Sequence, residues 1–278
     1  MPLLILGATG QQGRAVCDAA LSARLATRAL VRRADTLAAR ALAERGVDLV
    51  VGDLDDRETL RPALRGVSQV FSMQALDLGR ATREIARGIA VAEAAADAGV
   101  AHFVYSAALW TDRLTGVPHL DSKHAIRQRI VQLGLRATVL EPGSFMENLL
   151  HPQVLAGVRK GKLTTPVRCD LLQPLVAVAD LGPAAVWCFQ HPEQSVGKAF
   201  PLYAEPLTPR QQADAIAAWL AKPIACGKLH PWLTRLFMGS DLARMFAFLQ
   251  RDGDFPSASQ HWPRTRFSSW LEQVRYAK

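Results

Sequence analysis

Residues Leu3 to Gly13 read Leu-Leu-Ile-Leu-Gly-Ala-Thr-Gly-Gln-Gln-Gly, an apolar strand that runs directly into three glycines spaced three apart. A helix pattern continues from Gln11 to Leu25 and a second apolar run follows at Thr27 to Val31. Each glycine has a separate physical task. Gly7 allows the tight turn out of the strand, Gly10 lets the backbone approach a pyrophosphate, and Gly13 lets the helix lie close on the sheet. The helix start then offers unpaired N–H groups and the positive end of its dipole to phosphate. The competing reading, a Gly-rich turn that binds nothing, is weakened by the strand before it and the helix and strand after it.

The first half of the chain alternates apolar and amphipathic stretches. Strands are predicted at 3–6, 27–31, 48–51, 69–72, 102–105 and 136–140, with helices at 14–25, 36–45, 58–64, 80–98 and 121–133. Such alternation predicts an α/β fold, a doubly wound parallel sheet of the Rossmann type with right-handed crossovers. Asp55 and Glu58 have the spacing of a capping box at the start of the third helix. The rhythm breaks after Asn148. Residues 1–150 are read as the dinucleotide-binding domain. A strand at 175–178 and a helix after Asp180 return to it within residues 174–192. Residues 151–173 and 193–278 make a smaller, mainly helical lobe for the substrate. In that lobe Leu242, Met245, Phe246 and Leu249 share one helical face, which is read as packing rather than cofactor contact.

Bulk properties narrow the function class. The chain has 278 residues, 49% of them apolar and 21% charged, as in a globular protein with a sizeable core. No membrane-length apolar run or basic leader is present, so a cytoplasmic site and no membrane partner are expected. The net charge of +8 and pI near 9.7 raise the question of nucleic acid. Arginines are dispersed, however, with no basic run carrying aromatics and no helix-turn-helix or zinc pattern, so a nucleic-acid partner is excluded. The four cysteines, Cys17, Cys169, Cys188 and Cys226, show no paired or metal-ligand spacing. They are expected to be reduced thiols, and no metal site is expected.

The end of the second strand discriminates between dinucleotides. An NAD site places a carboxylate there for the ribose hydroxyls, whereas a 2′-phosphate requires a cation. This chain reads Leu30-Val31-Arg32-Arg33, with no acid before Asp35. Arg32 is assigned to the 2′-phosphate, with Arg33 stacking on adenine or facing solvent, and NADP(H) is the expected cofactor. Asp53 and Leu54, after the third strand, lie beside the adenine. The loop Ser72-Met73-Gln74 passes along the ribose and pyrophosphate.

Several segments together resemble the NmrA-like family, an atypical branch of the short-chain dehydrogenase/reductases. They are Gly7-Ala8-Thr9-Gly10-Gln11-Gln12-Gly13, Val31-Arg32-Arg33, Gly52-Asp53-Leu54-Asp55-Asp56, Val104-Tyr105-Ser106-Ala107 and Glu141-Pro142-Gly143-Ser144-Phe145-Met146-Glu147-Asn148. The similarity continues into Asp241-Leu242-Ala243-Arg244-Met245-Phe246 and Trp270-Leu271-Glu272-Gln273. The resemblance implies a Rossmann domain, NADP(H) held by Gly7, Thr9, Gly10, Gln11, Gln12 and Gly13, and a C-terminal lobe framing a cleft.

Reductases of the wider superfamily carry a Tyr four residues before a Lys on one helix, where the ammonium lowers the phenol pKa and holds the nicotinamide ribose. Here Lys123 occupies the matching segment, but residue 119 is His, and the tyrosines Tyr105, Tyr203 and Tyr276 lack that spacing. Lys123 is the first lysine of an Arg-rich chain, and a compact ammonium suits a ribose hydroxyl. It is assigned to the nicotinamide ribose, against a solvated helix lysine. His119 is either a general acid or a loop residue capping the following helix. Ser106 either donates to a substrate carbonyl or forms a turn. Trp110, Phe145 and Asn148 are placed along the substrate pocket.

Two functions remain open on this reading. One is an NADPH-dependent reductase of a small carbonyl or quinone-type acceptor. The other is a redox sensor that binds NADP(H), catalyses little and engages a regulatory protein partner. The assembly state is left open, a homodimer included.

Overall fold

The computed structural model describes residues 1–262 and 264–274. Seven parallel strands form its main sheet: β1 (Leu3–Ile5), β2 (Thr27–Val31), β3 (Asp48–Val51), β4 (Gln69–Met73), β5 (His102–Ser106), β6 (Ala137–Pro142) and β10 (Ala199–Leu202). Their order is β10-β6-β5-β4-β1-β2-β3. The crossovers run through α1 (Gln11–Ser22), α2 (Leu37–Ala43), α3 (Leu60–Leu64), α4 (Ala81–Asp97) and α5 (Pro118–Gln132). The strand order reverses between β1 and β4, and in open α/β sheets the crevice outside the carboxyl ends at such a switch point is where ligands bind.

The inner strands are mostly apolar because helices cover both faces, whereas the edge strand β3 is exposed at both ends. Leu3, Ile5, Phe71 and Val104 point into one layer, with Val16, Cys17 and Ala20 of α1 and Leu181, Ala184 and Cys188 of α7 (Leu181–Gln190). Leu4, Leu6, Val70, Phe103 and Tyr105 point into the other, against Val91 and Ala95 of α4 and Ile126 of α5.

A second body of structure follows β6. It holds β7 (Ser144–Phe145), α6 (Pro152–Arg159), β8 (Lys162–Thr165), β9 (Gln173–Val176), α8 (Pro192–Ser195), β11 (Glu205–Leu207), α9 (Pro209–Leu220), β12 (Ala225–Lys228), α10 (Pro231–Asp252) and α11 (Phe267–Gln273). Strand β9 pairs with β7 and β11 in a three-stranded sheet, and β8 pairs with β12 in a two-stranded one. The strand expected near 175–178 therefore does not join the main sheet, although α7 after Asp180 packs on α1. The seventh main-sheet strand is β10, which sequence reasoning missed. Buried carboxylates staple this region together. Asp180 accepts from the Thr265 amide and hydroxyl at 3.0 and 2.7 Å. Glu147 accepts from the Val178 amide at 3.1 Å and from the Trp270 indole at 3.2 Å.

Three local expectations are corrected. Cys169 and Cys226 form a disulfide, leaving Cys17 and Cys188 as buried thiols. Cys226 lies on β12 and Cys169 in the segment after β8, the strand paired with β12, a proximity that sequence spacing does not reveal. The turn before α3 is capped by Asp56, which accepts from the Glu58 amide. Asp55 instead receives the guanidinium forks of Arg83 and Arg87, and these hold its carboxyl well below the usual range. Finally, α5 begins at Pro118, ahead of the expected Asp121, because proline suits the first helical position. His119 thus lies on the helix and not in a loop.

Candidate functional site

The phosphate end is a backbone structure. Gly7 leaves β1 at φ +68°, and the Gly10 amide donates to the Gly7 carbonyl at 2.8 Å. Gly10 is the extended residue ahead of α1, and no side chain caps the helix, so its first-turn N–H groups open onto the crevice. A Cβ on Gly13 would lie 2.3 Å from the Gly7 oxygen, and one on Gly7 would lie 2.7 Å from Met73 Sδ. Side chains are excluded from this cradle, and uncapped donors line it. Both properties fit a pyrophosphate. Thr9, Gly10 and Gln11 are exposed. Gln12 is tied down, accepting at Oε1 from Ser106 Oγ at 2.9 Å across 94 residues of sequence.

The cations after β2 divide their tasks. Arg33 forks onto Asp35 at 3.0 and 2.7 Å. Arg32 is exposed and makes no ion pair among the described residues. After β3, Asp53 turns back on its own backbone. Its Oδ1 accepts from the Asp55 amide at 3.0 Å, and Thr59 Oγ1 bridges its amide and carbonyl. Leu54 is half-buried against the α4/α5 layer.

The other end of the crevice is made of side chains. His119 and Lys123 stand one turn apart on α5. Lys123 is not solvated; its Nζ donates to Glu84 Oε1 of α4 at 2.5 Å, with 12% and 1% of the two side chains exposed. His119 Nε2 lies 3.2 Å from Met245 Sδ of α10. Burial, reinforced by the Lys123 charge, pushes the His119 pKa down to about 4, so the ring is neutral at pH 7. Tyr105 is buried, and desolvation raises its phenol well above the ordinary value. Tyr203 Oη donates to the Pro256 carbonyl, and Tyr276 lies outside the described residues. Among the described residues, no tyrosine takes the place opposite Lys123. Sequence reasoning missed Glu84. The only sign of it was an acid in a helix first turn, which reads equally well as a dipole complement.

The other three expected pocket residues, Trp110, Phe145 and Asn148, stand in different surroundings. Trp110 adopts a positive φ of 66°, donates from its indole to the Asp254 carbonyl at 2.6 Å, and meets Phe248 edge-on at 5.9 Å. Met245 and Leu249 of the expected stripe pack in the same cluster with Val117, Leu120 and the buried Phe248, while Leu242 and Phe246 are half-buried outside it. Phe145 is half-buried against the main core and Asn148 is exposed. Helix α10 is broken at Gly239 (φ 84°, ψ 169°), and just beyond the break Asp241 accepts from the Gly79 amide at 2.9 Å. Leu76, Leu78, Trp232, Leu236 and Phe237 are exposed on either side of that contact.

The whole-chain comparison agrees with this arrangement: the NmrA-like family profile matches residues 2–264. The chain belongs to the NmrA-like family. Among its NmrA-like relatives, an NAD(P)H azoreductase of Xenophilus azovorans is 30% identical over 224 residues, spanning 80% of this chain and 75% of that protein. An NADPH-dependent quinone oxidoreductase of Escherichia coli, solved with NADPH, superposes with a TM-score of 0.84. It is 22% identical and covers 98% of this chain and 99% of its own. NmrA itself, a negative transcriptional regulator, superposes with a TM-score of 0.71 at 25% identity, covering 83% of this chain and 74% of its own. The family thus includes both reductases and a regulator. No described helix is long and apolar enough to cross a membrane.

Proposed function

We propose that this protein binds NADP(H) and is an NADPH-dependent reductase of a small carbonyl or quinone-type acceptor. The observation that carries the reading is the pairing of an uncapped glycine cradle with one open guanidinium. Gly7, Thr9, Gly10, Gln11, Gln12 and Gly13 receive the pyrophosphate through backbone N–H groups. Arg32 forks onto the 2′-phosphate, a role for which Arg33 is unsuited because Asp35 already holds it. Asp53 and Leu54 border the adenine, and Lys123 offers the nicotinamide ribose those N–H groups that Glu84 does not take. Bound NADPH supplies the hydride. Trp110 and Phe145 give an apolar wall to the acceptor, and Ser106 and Asn148 give it polar edges.

Protonation is the weak part of a site with His119 in place of a tyrosine one turn before Lys123. Neutral His119 holds no extra proton at pH 7, and the Lys123 Nζ is already engaged by Glu84. A quinone acceptor fits these limits because its reduced form takes protons from solvent, whereas a carbonyl needs a donor in the site. A second reading, an NADP(H)-sensing regulator with a protein partner, is favoured by the same missing tyrosine and by the likeness to NmrA. Steady-state NADPH oxidation against a panel of quinones and aldehydes separates the two. Turnover with quinones exceeding that with aldehydes supports the reductase. Tight NADPH binding with no turnover on any acceptor supports the regulator.

A further inference from the structure

We propose that Glu84 is the positioning residue of the nicotinamide end, its buried carboxylate fixing the Lys123 ammonium toward the ribose of a bound dinucleotide. This inference rests on the assignment of Lys123 to that ribose.

The contact begins with a glycine. Gly88 lies one turn after Glu84 on α4, and a Cβ there would come within 2.4 Å of Ile126 on α5. The missing side chain lets the two helices approach closely just below the pair. At that spacing Glu84 Oε1 and Lys123 Nζ meet at 2.5 Å, with the carboxylate side chain only 1% exposed. A carboxylate this far from water is costly unless it is paired, and removing its partner leaves an uncompensated charge. The pair is also incompletely satisfied. Glu84 Oε2, Tyr105 Oη, Gln74 Oε1 and His119 Nδ1 are all buried without hydrogen-bond partners. Buried orphaned polar atoms mark a place where further donors and acceptors are expected.

Geometry selects the role. An ammonium has three donors. Glu84 takes one and fixes the direction of the others, which a free lysine on an exposed helix face would sample at an entropic cost. Beside Glu84, the titratable groups near the pair are Tyr105 of β5, which feels the Glu84 charge, and His119 of α5, which feels Lys123; Asp121 and Asp241 act on His119. Of these, Glu84 alone forms an ion pair with Lys123 among the described residues.

The substitution Glu84→Gln keeps a hydrogen-bond acceptor of the same shape while removing the charge. A buried ammonium without a counter-charge gives up its proton more readily. The expected result, read by fluorescence titration with NADPH and not by turnover, is a loss of affinity of about tenfold. The loss should grow as the pH is raised from about 6 to about 9. Glu84→Asp, which keeps the charge on a shorter stem, should recover part of the affinity and lose the pH dependence. Lys123→Met should weaken binding at every pH, and Glu84→Gln should add nothing on top of it.

Should Glu84→Gln lower thermal stability yet bind NADPH as the wild type does at every pH, Glu84 is only a helix clamp and the proposal is overturned. If the Gln variant does not fold, Glu84→Asp takes its place, and full wild-type affinity in that variant overturns the proposal equally. Should Lys123→Met itself bind and turn over normally, the assignment of Lys123 fails, and this inference fails with it.

Discussion

The two ends of the crevice are built from different materials. The proposed phosphate end is one contiguous stretch, Leu3 to Gly13, and what it offers is backbone N–H groups. The opposite end gathers Glu84 from α4, His119 and Lys123 from α5 and Met245 from α10, and its chemistry lies in side chains. At the first end the glycines are the sensitive positions, because an added Cβ meets backbone or Met73 there. The second depends on how separate helices pack. Substitutions that separate the two ends differ widely in their expected effect.

Gly13→Ala should be the most damaging. Its Cβ would meet backbone at 2.3–2.6 Å, where nothing flexible can yield. A cost of about 4–5 kcal/mol or more is expected in urea unfolding, with loss of NADPH binding. Breaking the disulfide with Cys169→Ser comes next. It opens a loop spanning 57 residues, at an expected cost of about 2–4 kcal/mol. The disulfide lies in the second body of structure, so nucleotide affinity should be unchanged. A parallel fall in NADPH affinity would show that the phosphate end is not independent of that body.

His102 provides a pH test remote from both ends. Burial pushes its pKa down to about 4. A histidine depressed in this way binds fewer protons folded than unfolded. Stability is therefore retained above the ordinary value near 6.5 and falls as the pH drops toward about 4, by up to about 3 kcal/mol. Burial raises Glu141, Glu147 and Asp180, which act in the opposite sense: they stabilise the fold at low pH and lose that contribution as the pH rises. Comparison of urea midpoints isolates the histidine. Between about pH 7 and pH 4.5, His102→Gln should lose less stability than the wild type.

Ser106 joins the two ends through its bond to Gln12, so Ser106→Ala should cost only about 1 kcal/mol, read in the same unfolding assay. A fall in kcat with stability unchanged would instead place Ser106 against the acceptor.

What could be read from the sequence follows the same division. Six parallel strands and their helices were legible because strands buried on both faces become continuous apolar runs. The seventh, β10, was hidden by Pro201, which a central strand would reject but this edge position accepts. The glycine spacing was legible because, in a backbone site, spacing is geometry. Arg32 was assigned ahead of Arg33 from its place at the end of the second strand, but the fork that ties Arg33 to Asp35 could not be read there. Glu84–Lys123 and Cys169–Cys226 join residues 39 and 57 positions apart. Each pairing depends on a register between elements that no local pattern records.

The central claim is that the glycine cradle and Arg32 together select NADP(H). Fluorescence titration of wild type and Arg32→Ala with NADPH and NADH tests it most directly. The wild type should prefer NADPH, and Arg32→Ala should weaken NADPH by about tenfold or more while leaving NADH nearly unchanged. Equal weakening of both nucleotides, or no preference in the wild type, would contradict it.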